Sequence, residues 1–222
     1  MMLVGFMVVE LVTGIFTRSL ALVSDAVHMG TDALGVGMAL AAAVAGRGGA
    51  AGSRTYGLYR LEILAALANT VLLFGVAGYV VWEAVRRWGD PPGISSGPML
   101  AVAVIGLLVN LAGWRLLAAG SDSLNVIGAR LELLADLVGS IGVIIAALLI
   151  RFTGWLYADP LVAIALALFI LPRAFRLGRE AVRILVQAAP PHLDLTQVRE
   201  RLAALPGVVD IHDLHVWTLT SG

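Results

Sequence analysis

The stretch that decides the fold is Ser19-Leu-Ala-Leu-Val-Ser-Asp25-Ala-Val-His28-Met-Gly-Thr-Asp32-Ala-Leu34, an apolar run that carries three ionisable side chains. Asp25, His28 and Asp32 stand at i, i+3 and i+7, which places them on one face of one α-helix. Each of these groups is costly in hydrocarbon, so such a helix turns this face towards the interior of a bundle. The stretch therefore predicts a membrane-spanning helix with a buried polar face.

The composition of the whole chain supports a membrane protein. Of its 222 residues, 59% are hydrophobic and only 14% are charged, which is too apolar for an ordinary soluble domain. The formal net charge is zero, so no basic field favours nucleic acid as a partner. The absence of cysteine excludes disulfides and thiolate metal sites.

Apolar stretches recur along the chain at about 20 residues each, the length at which an α-helix crosses a bilayer. Turn sequences separate several of them, as at 46–49, 89–93 and 157–160. These stretches predict an all-α membrane protein with a bundle of six transmembrane helices. The predicted spans are approximately 2–17, 20–45, 60–87, 98–119, 122–150 and 155–178.

The composition changes after Pro190-Pro191. Thr196–Leu205 predicts a short amphipathic helix and Val208–Leu219 predicts a strand. One helix and one strand cannot bury a core, so we expect this domain to be incomplete here and the native chain to continue. We therefore divide the chain into a six-helix transmembrane domain, 1–187, and the start of a C-terminal domain, 188–222.

Arginine placement predicts the orientation of the chain in a cell membrane. Loops rich in Arg stay in the cytoplasm, and the arginines concentrate on the side of the predicted bundle that carries the C-terminal domain. The chain is therefore expected to be a multi-pass protein whose C-terminal domain is cytoplasmic. The arginines on this side are Arg47, Arg54, Arg60, Arg115, Arg130, Arg173, Arg176, Arg179 and Arg183.

A second polar pair lies in the fifth predicted span. Glu132 and Asp136 are one helical turn apart, as are His28 and Asp32. The segments that begin at His28 and Glu132 share the pattern donor-x-x-x-Asp-x-x-Gly. Internal repeats that place polar groups at the midplane of the bilayer are a recurring plan of transporters.

Two helices that carry these pairs and pack face to face supply four ligands to one ion. One imidazole nitrogen and three carboxylates suit a tetrahedral zinc site. Like charges repel at low dielectric, so the empty site should take up protons, which then compete with metal for the same lone pairs. The predicted function is exchange of a divalent metal ion, zinc above all, for protons. The predicted ligands are His28, Asp32, Glu132 and Asp136.

The sequence around these pairs resembles the cation diffusion facilitator family of zinc transporters. Ser19–Leu34 is similar to the signature of that family's second helix. Tyr56–Glu62 resembles the start of its third helix, and Gly139–Ala147 resembles its fifth. The segment His212-Asp-Leu-His-Val-Trp217 is similar to the start of its cytoplasmic domain.

This resemblance implies six helices, a homodimer, a ferredoxin-like α/β cytoplasmic domain and metal/proton antiport. It also implies that His28, Asp32 and Asp136 are ligands of the transport site. The expected partners are divalent metal ions, protons, the lipid bilayer and a second copy of the chain. No cofactor is expected, because the metal is the transported substrate.

Glu132 departs from the family pattern, in which zinc-selective members usually carry His at this position. A carboxylate keeps a ligand but makes the site harder and more rich in oxygen, which favours a broader range of Mn²⁺, Fe²⁺, Co²⁺ and Cd²⁺. The extra negative charge should also make the site less selective, so we expect Glu132→His to narrow selectivity without loss of transport. In an alternative, Glu132 points away from the site and pairs with Arg130 or a neighbouring helix.

Two other function classes fit the sequence less well. A passive cation channel needs repeated polar rings along a pore, and a single polar level is visible here. An intramembrane metal enzyme needs a metal-activated water and a general base, and the chain has no His-Glu-x-x-His pattern. We therefore expect no enzymatic activity.

Several further ionisable residues have structural interpretations. Asp25 is expected near the membrane edge, as a residue of a helix end or a vestibule, and Asp159 before Pro160 is typical of a helix start. His212 and His215 would point to opposite faces of a strand, so they cannot form one metal site together. His212 is a candidate for a regulatory zinc site with ligands from beyond this segment.

Overall fold

The computed structural model describes residues 2–46, 57–118 and 124–219. Four helices in this part of the chain are long and apolar enough to cross a membrane, over Arg60–Arg86, Ser96–Ala118, Gly128–Thr153 and Ala158–Leu185. The chain is thus a helical membrane protein, and the count of six spans stays a prediction. In the described residues the helices are α1 Met2–Thr17, α2 Leu20–Gly46, α3 Arg60–Arg86, α4 Ser96–Ala118, α5 Leu124–Thr153, α6 Ala158–Leu185 and α7 Leu195–Ala203.

The described C-terminal segment contains α7 and no strand. Asp194 begins α7 by accepting hydrogen bonds from the backbone N–H groups of Thr196 and Gln197. The strand predicted over Val208–Leu219 is not formed, because a strand is held by hydrogen bonds to a neighbouring strand and none exists among the described residues. The ferredoxin-like α/β character of this domain therefore stays a prediction.

The chain divides into two compact units, and the first comprises Met1–Leu34 and Val71–Ala174. Its core combines a few large buried side chains, such as Leu22, Val80 and Met99, with many buried alanines. Small side chains let membrane helices approach closely, and this close packing replaces the hydrophobic effect that is lost in lipid. Gly106 shows this closeness, since a Cβ atom there would stand 2.7 Å from the ring of Phe6.

The second unit comprises Gly35–Thr70 and Phe175–Gly222. Ile63 of α3 packs with Ala181 and Ile184 of α6 in a small apolar cluster. A Cβ atom on Gly178 would stand 2.6 Å from the side chain of Thr70, so α6 also approaches α3 closely at this point. The glycine therefore permits the contact between the two helices.

The start of α2 is held by the carboxylate of Asp159 in the first turn of α6. Its oxygens accept hydrogen bonds from Ser19 Oγ (2.5 Å), Leu20 N (2.7 Å) and Ala21 N (3.2 Å). Asp159 is completely buried, and Arg87 Nη1 lies 4.0 Å from it. The sequence placed Asp159 at a helix start, and in the structure its side chain caps the neighbouring helix. We call Ser19, Arg87 and Asp159 the cap cluster.

Candidate metal centre

His28 and Asp32 supply the α2 side of the centre. They lie one helical turn apart, with His28 Nε2 at 3.4 Å from Asp32 Oδ2. His28 is buried, and its Nδ1 atom makes no hydrogen bond within the described part of the chain. In a neutral imidazole one ring nitrogen carries a proton and the other has a free lone pair for a metal ion or a second proton, so this side chain is available for ligation.

Glu132 of α5 completes a set of three donors. One donor atom from each of His28, Asp32 and Glu132 lies within 4.8 Å of the others. Zinc–ligand distances are about 2.0 Å, so the ligand atoms around a tetrahedral zinc ion lie about 3.3 Å from one another. A small approach of α2 and α5 would therefore let all three donors reach one ion.

Asp136 lies one turn further along α5 and is buried. It is not part of the set of three that lies within 4.8 Å among the described residues. Its carboxylate still interacts electrostatically with Glu132 and Asp25. The structure thus brings His28, Asp32 and Glu132 together and places Asp136 close enough to interact with Glu132.

Arg173 of α6 also belongs to the candidate metal centre, although the sequence did not predict it there. Its guanidinium donates to Oε1 of Glu132 and also contacts Oε2, which makes a bidentate ion pair. From the sequence, Arg173 is expected only to be one of the arginines that orient the chain. A charged side chain inside an apolar span needs a partner, and that was the available signal.

The ion pair with Arg173 bears on the alternative in which Glu132 points away from the site and pairs with Arg130 or a neighbouring helix. Glu132 does pair with a neighbouring helix, yet one of its oxygens remains within reach of His28 and Asp32. Arg130, the other predicted partner, donates hydrogen bonds to the carbonyl of Leu117 at 3.0 and 2.8 Å. Pairing with Arg173 and proximity to the donor set therefore coexist.

Comparison with known proteins identifies the family. The family model of the cation efflux transmembrane domain matches residues 1–186, and that of the cation efflux protein cytoplasmic domain matches residues 190–222. The chain belongs to the cation efflux family. The predicted resemblance to the cation diffusion facilitators is thereby confirmed.

Relatives of this cation efflux protein are similar over nearly its whole length. The metal cation efflux system protein CzcD of Cupriavidus metallidurans is 48% identical over 98% of this chain and 69% of its own length. The zinc transporter ZitB of Escherichia coli is 42% identical over 96% of this chain and 69% of its own length. The cadmium, cobalt and zinc/H(+)-K(+) antiporter of Bacillus subtilis is 38% identical over 100% of this chain and 72% of its own length.

The side chain of Asp25 of this cation efflux protein is buried close to α5. It is only 5% exposed, and its Oδ1 stands 2.9 Å from where a Cβ atom on Gly139 of α5 would lie. Glu10 of α1, itself buried, interacts with it. Asp25 is therefore a buried residue that faces α5, and its expected place at a helix end or in a vestibule near the membrane edge stays a prediction.

His212 lies outside the described metal centre. Its side chain is 83% exposed, and its Nδ1 stands 3.1 Å from Asp213 Oδ2. His215 Nδ1 stands 2.7 Å from the backbone oxygen of Asp213. The regulatory zinc site at His212 stays a prediction.

Proposed function

We propose that this cation efflux protein exports divalent metal ions, zinc first among them, in exchange for protons. The observation that carries the proposal is the set of donor atoms from His28, Asp32 and Glu132 within 4.8 Å, held by two helices of a membrane protein. Asp136 is the fourth proposed ligand, because it lies one turn from Glu132 and interacts with it. The donors are one imidazole and three carboxylates, which suit zinc.

The cargo range follows from the donors and from the relatives. The relatives from E. coli and B. subtilis are named for zinc and for cadmium, cobalt and zinc, respectively. Carboxylates are hard ligands that Mn²⁺, Fe²⁺ and Co²⁺ also accept. The second candidate function is therefore a transporter with a broader range of metal ions, which Glu132 favours. Exchange with protons follows because metal and protons compete for the same lone pairs.

The architecture that we propose has six transmembrane helices, a cytoplasmic C-terminal domain and two copies of the chain in a cell membrane. α2 is 27 residues long and α1 contains the apolar segment Val4–Thr17, which supports two spans beyond the four already described. The match of residues 190–222 to a cytoplasmic domain supports the orientation. The same match supports the homodimer, because this cytoplasmic domain is a dimerisation domain.

The ligand assignment is tested by removing one carboxylate at a time. Asp32→Ala and Asp136→Ala should each abolish zinc uptake into reconstituted vesicles under an imposed pH gradient, because the site has no spare donor. Glu180→Ala removes an exposed carboxylate from α6 and should leave uptake unchanged. Normal zinc flux in either Asp variant, with the folded protein verified by gel filtration, contradicts the assignment.

A further inference from the structure

The ion pair between Arg173 and Glu132 places a permanent positive charge at the metal centre. Both oxygens of Glu132 face the guanidinium of Arg173. The side chain of Arg173 is 56% exposed, and that of Glu132 is 25% exposed. A guanidinium cannot be deprotonated in proteins, so this charge persists at every pH at which the protein works.

Arg173 acts on more of the site than its direct partner. Its charge interacts with Asp32 and Asp136 as well as with Glu132. It also interacts with His28. Every proposed ligand therefore lies within the electrostatic range of this one side chain, which comes from a third helix.

The guanidinium and a metal ion can share Glu132. An ionised carboxylate has about four lone-pair sites on its two oxygens, so an oxygen that accepts an N–H group can still bind a metal. One oxygen of Glu132 already lies within 4.8 Å of donor atoms of His28 and Asp32 while the pair with Arg173 is intact. Metal binding thus does not require Arg173 to leave.

We propose that Arg173 is a fixed cation of the transport site that sets its charge to match a divalent ion. The proposal rests on the function proposed above. Asp32, Glu132 and Asp136 contribute a formal charge of −3, neutral His28 contributes none, and Arg173 raises the sum to −2. A divalent ion then brings the site to zero. Without Arg173, the loaded site would keep a charge of −1.

This charge balance changes the expectation for Glu132→His. From the sequence, His at this position was expected to narrow selectivity and keep transport. In the structure, the substitution leaves Arg173 without its carboxylate and lowers the site's negative charge to −1. Zinc should then bind more weakly. Replacing Arg173 as well restores −2, now with two imidazoles and two carboxylates.

The test compares zinc-binding isotherms of the full chain in detergent with uptake into vesicles. Arg173→Gln should tighten zinc binding about tenfold, because it removes a cation beside the ion. Glu132→His should weaken binding about tenfold, and Glu132→His with Arg173→Gln should return to within about threefold of wild type. Arg173→Lys keeps the charge but loses the bidentate contact, so its zinc affinity should lie closer to wild type than that of Arg173→Gln. The exposed Arg176→Gln, on the same helix, is the matched control and should have no effect.

The outcomes separate this inference from the proposed function. A wild-type chain that neither binds nor transports zinc contradicts the function itself. If wild type binds zinc but Arg173→Gln behaves as Arg176→Gln does, or the double variant is no better than Glu132→His, then Arg173 is not part of the site. Arg173→Met makes the same charge change with a side chain suited to lipid, so the test does not depend on one variant folding.

Discussion

In the proposed transport site, the protonation state of single side chains decides when a metal ion can bind. His28 must be neutral and the carboxylates ionised before any of them can donate a lone pair to a metal. The contact of His28 Nε2 with Asp32 Oδ2 at 3.4 Å orients the ring towards that carboxylate. A proton on this ring and a metal at this site therefore exclude one another.

Zinc loading should weaken when the side from which the metal enters is acidified. Protons then compete with the metal for His28 and the carboxylates, so the expected result is a lower uptake rate at lower pH. The measurement is initial zinc uptake at several external pH values with the membrane potential fixed. His28→Asp removes the imidazole and should move the midpoint of this curve. A rate that does not change with pH would argue for a channel.

Those residues of the candidate site that pair within a single helix could be predicted from the sequence. His28 with Asp32, and Glu132 with Asp136, follow from a spacing of one helical turn. The contact between Arg173 and Glu132 joins α6 to α5, so it depends on helix packing that no local pattern encodes. The same reason explains Asp25, whose burial against Gly139 was missed because a single-helix pattern cannot show which side of α2 meets α5.

The cap cluster fixes the helix that carries His28 and Asp32. The first N–H groups of an α-helix have no partner within the helix, and Asp159 of α6 supplies one for α2. Arg87 also donates to the carbonyl of Arg18 at 2.7 Å and pairs with Glu83 at 2.9 Å. Three helices are thus joined at the residue where α2 begins.

Asp159→Ala should destabilise the protein by about 2 kcal/mol or more, because it leaves several buried donors without an acceptor. Asp159→Asn keeps one acceptor oxygen and should cost less. The measurement is the thermal unfolding of the full chain in detergent. The matched control is Asp194→Ala, which removes an exposed cap from α7. Equal effects of the two Ala variants would show that the buried cap is unimportant.

The close contact between α1 and α4 at Gly106 leads to a second prediction, about helix packing. Gly106→Ala puts a methyl group 2.7 Å from the ring of Phe6 and should cost about 1–3 kcal/mol by overpacking. Gly78→Ala is the control, because a Cβ atom there has no neighbour within 4 Å among the described residues. Adding Phe6→Leu to Gly106→Ala should recover part of the loss. Unfolding temperatures that do not differ between the two Ala variants contradict this packing.

In the first compact unit, large apolar side chains are exposed, and several ionisable groups are buried. Large side chains such as Phe16, Leu108 and Phe152 are exposed on the first compact unit, whereas Glu10, Asp25 and Asp136 are not. In a bilayer this arrangement places the exposed side chains against lipid. Under the proposed function, the donor residues would carry the charged ion across this apolar layer.

Coupling is a property of the whole molecule. Vesicles that contain the protein should accumulate zinc only while a pH gradient persists, because each transport cycle returns protons through the same ligands. A protonophore should therefore stop accumulation, and vesicles with Asp136→Ala should behave like protein-free vesicles throughout. Continued zinc entry after the pH gradient has collapsed, with the rate set by membrane potential alone, would favour a passive channel.

The ion pair between Glu132 and Arg173 also bears on how the protein responds to voltage. Moving one elementary charge across the membrane potential costs or releases about 2.3 kcal/mol per 100 mV. A loaded site whose formal charges sum to zero experiences no net force from this field when it turns from one face of the membrane to the other. The guanidinium, although it has the same sign of charge as the cargo, would therefore make the loaded step independent of the electrical state of the cell.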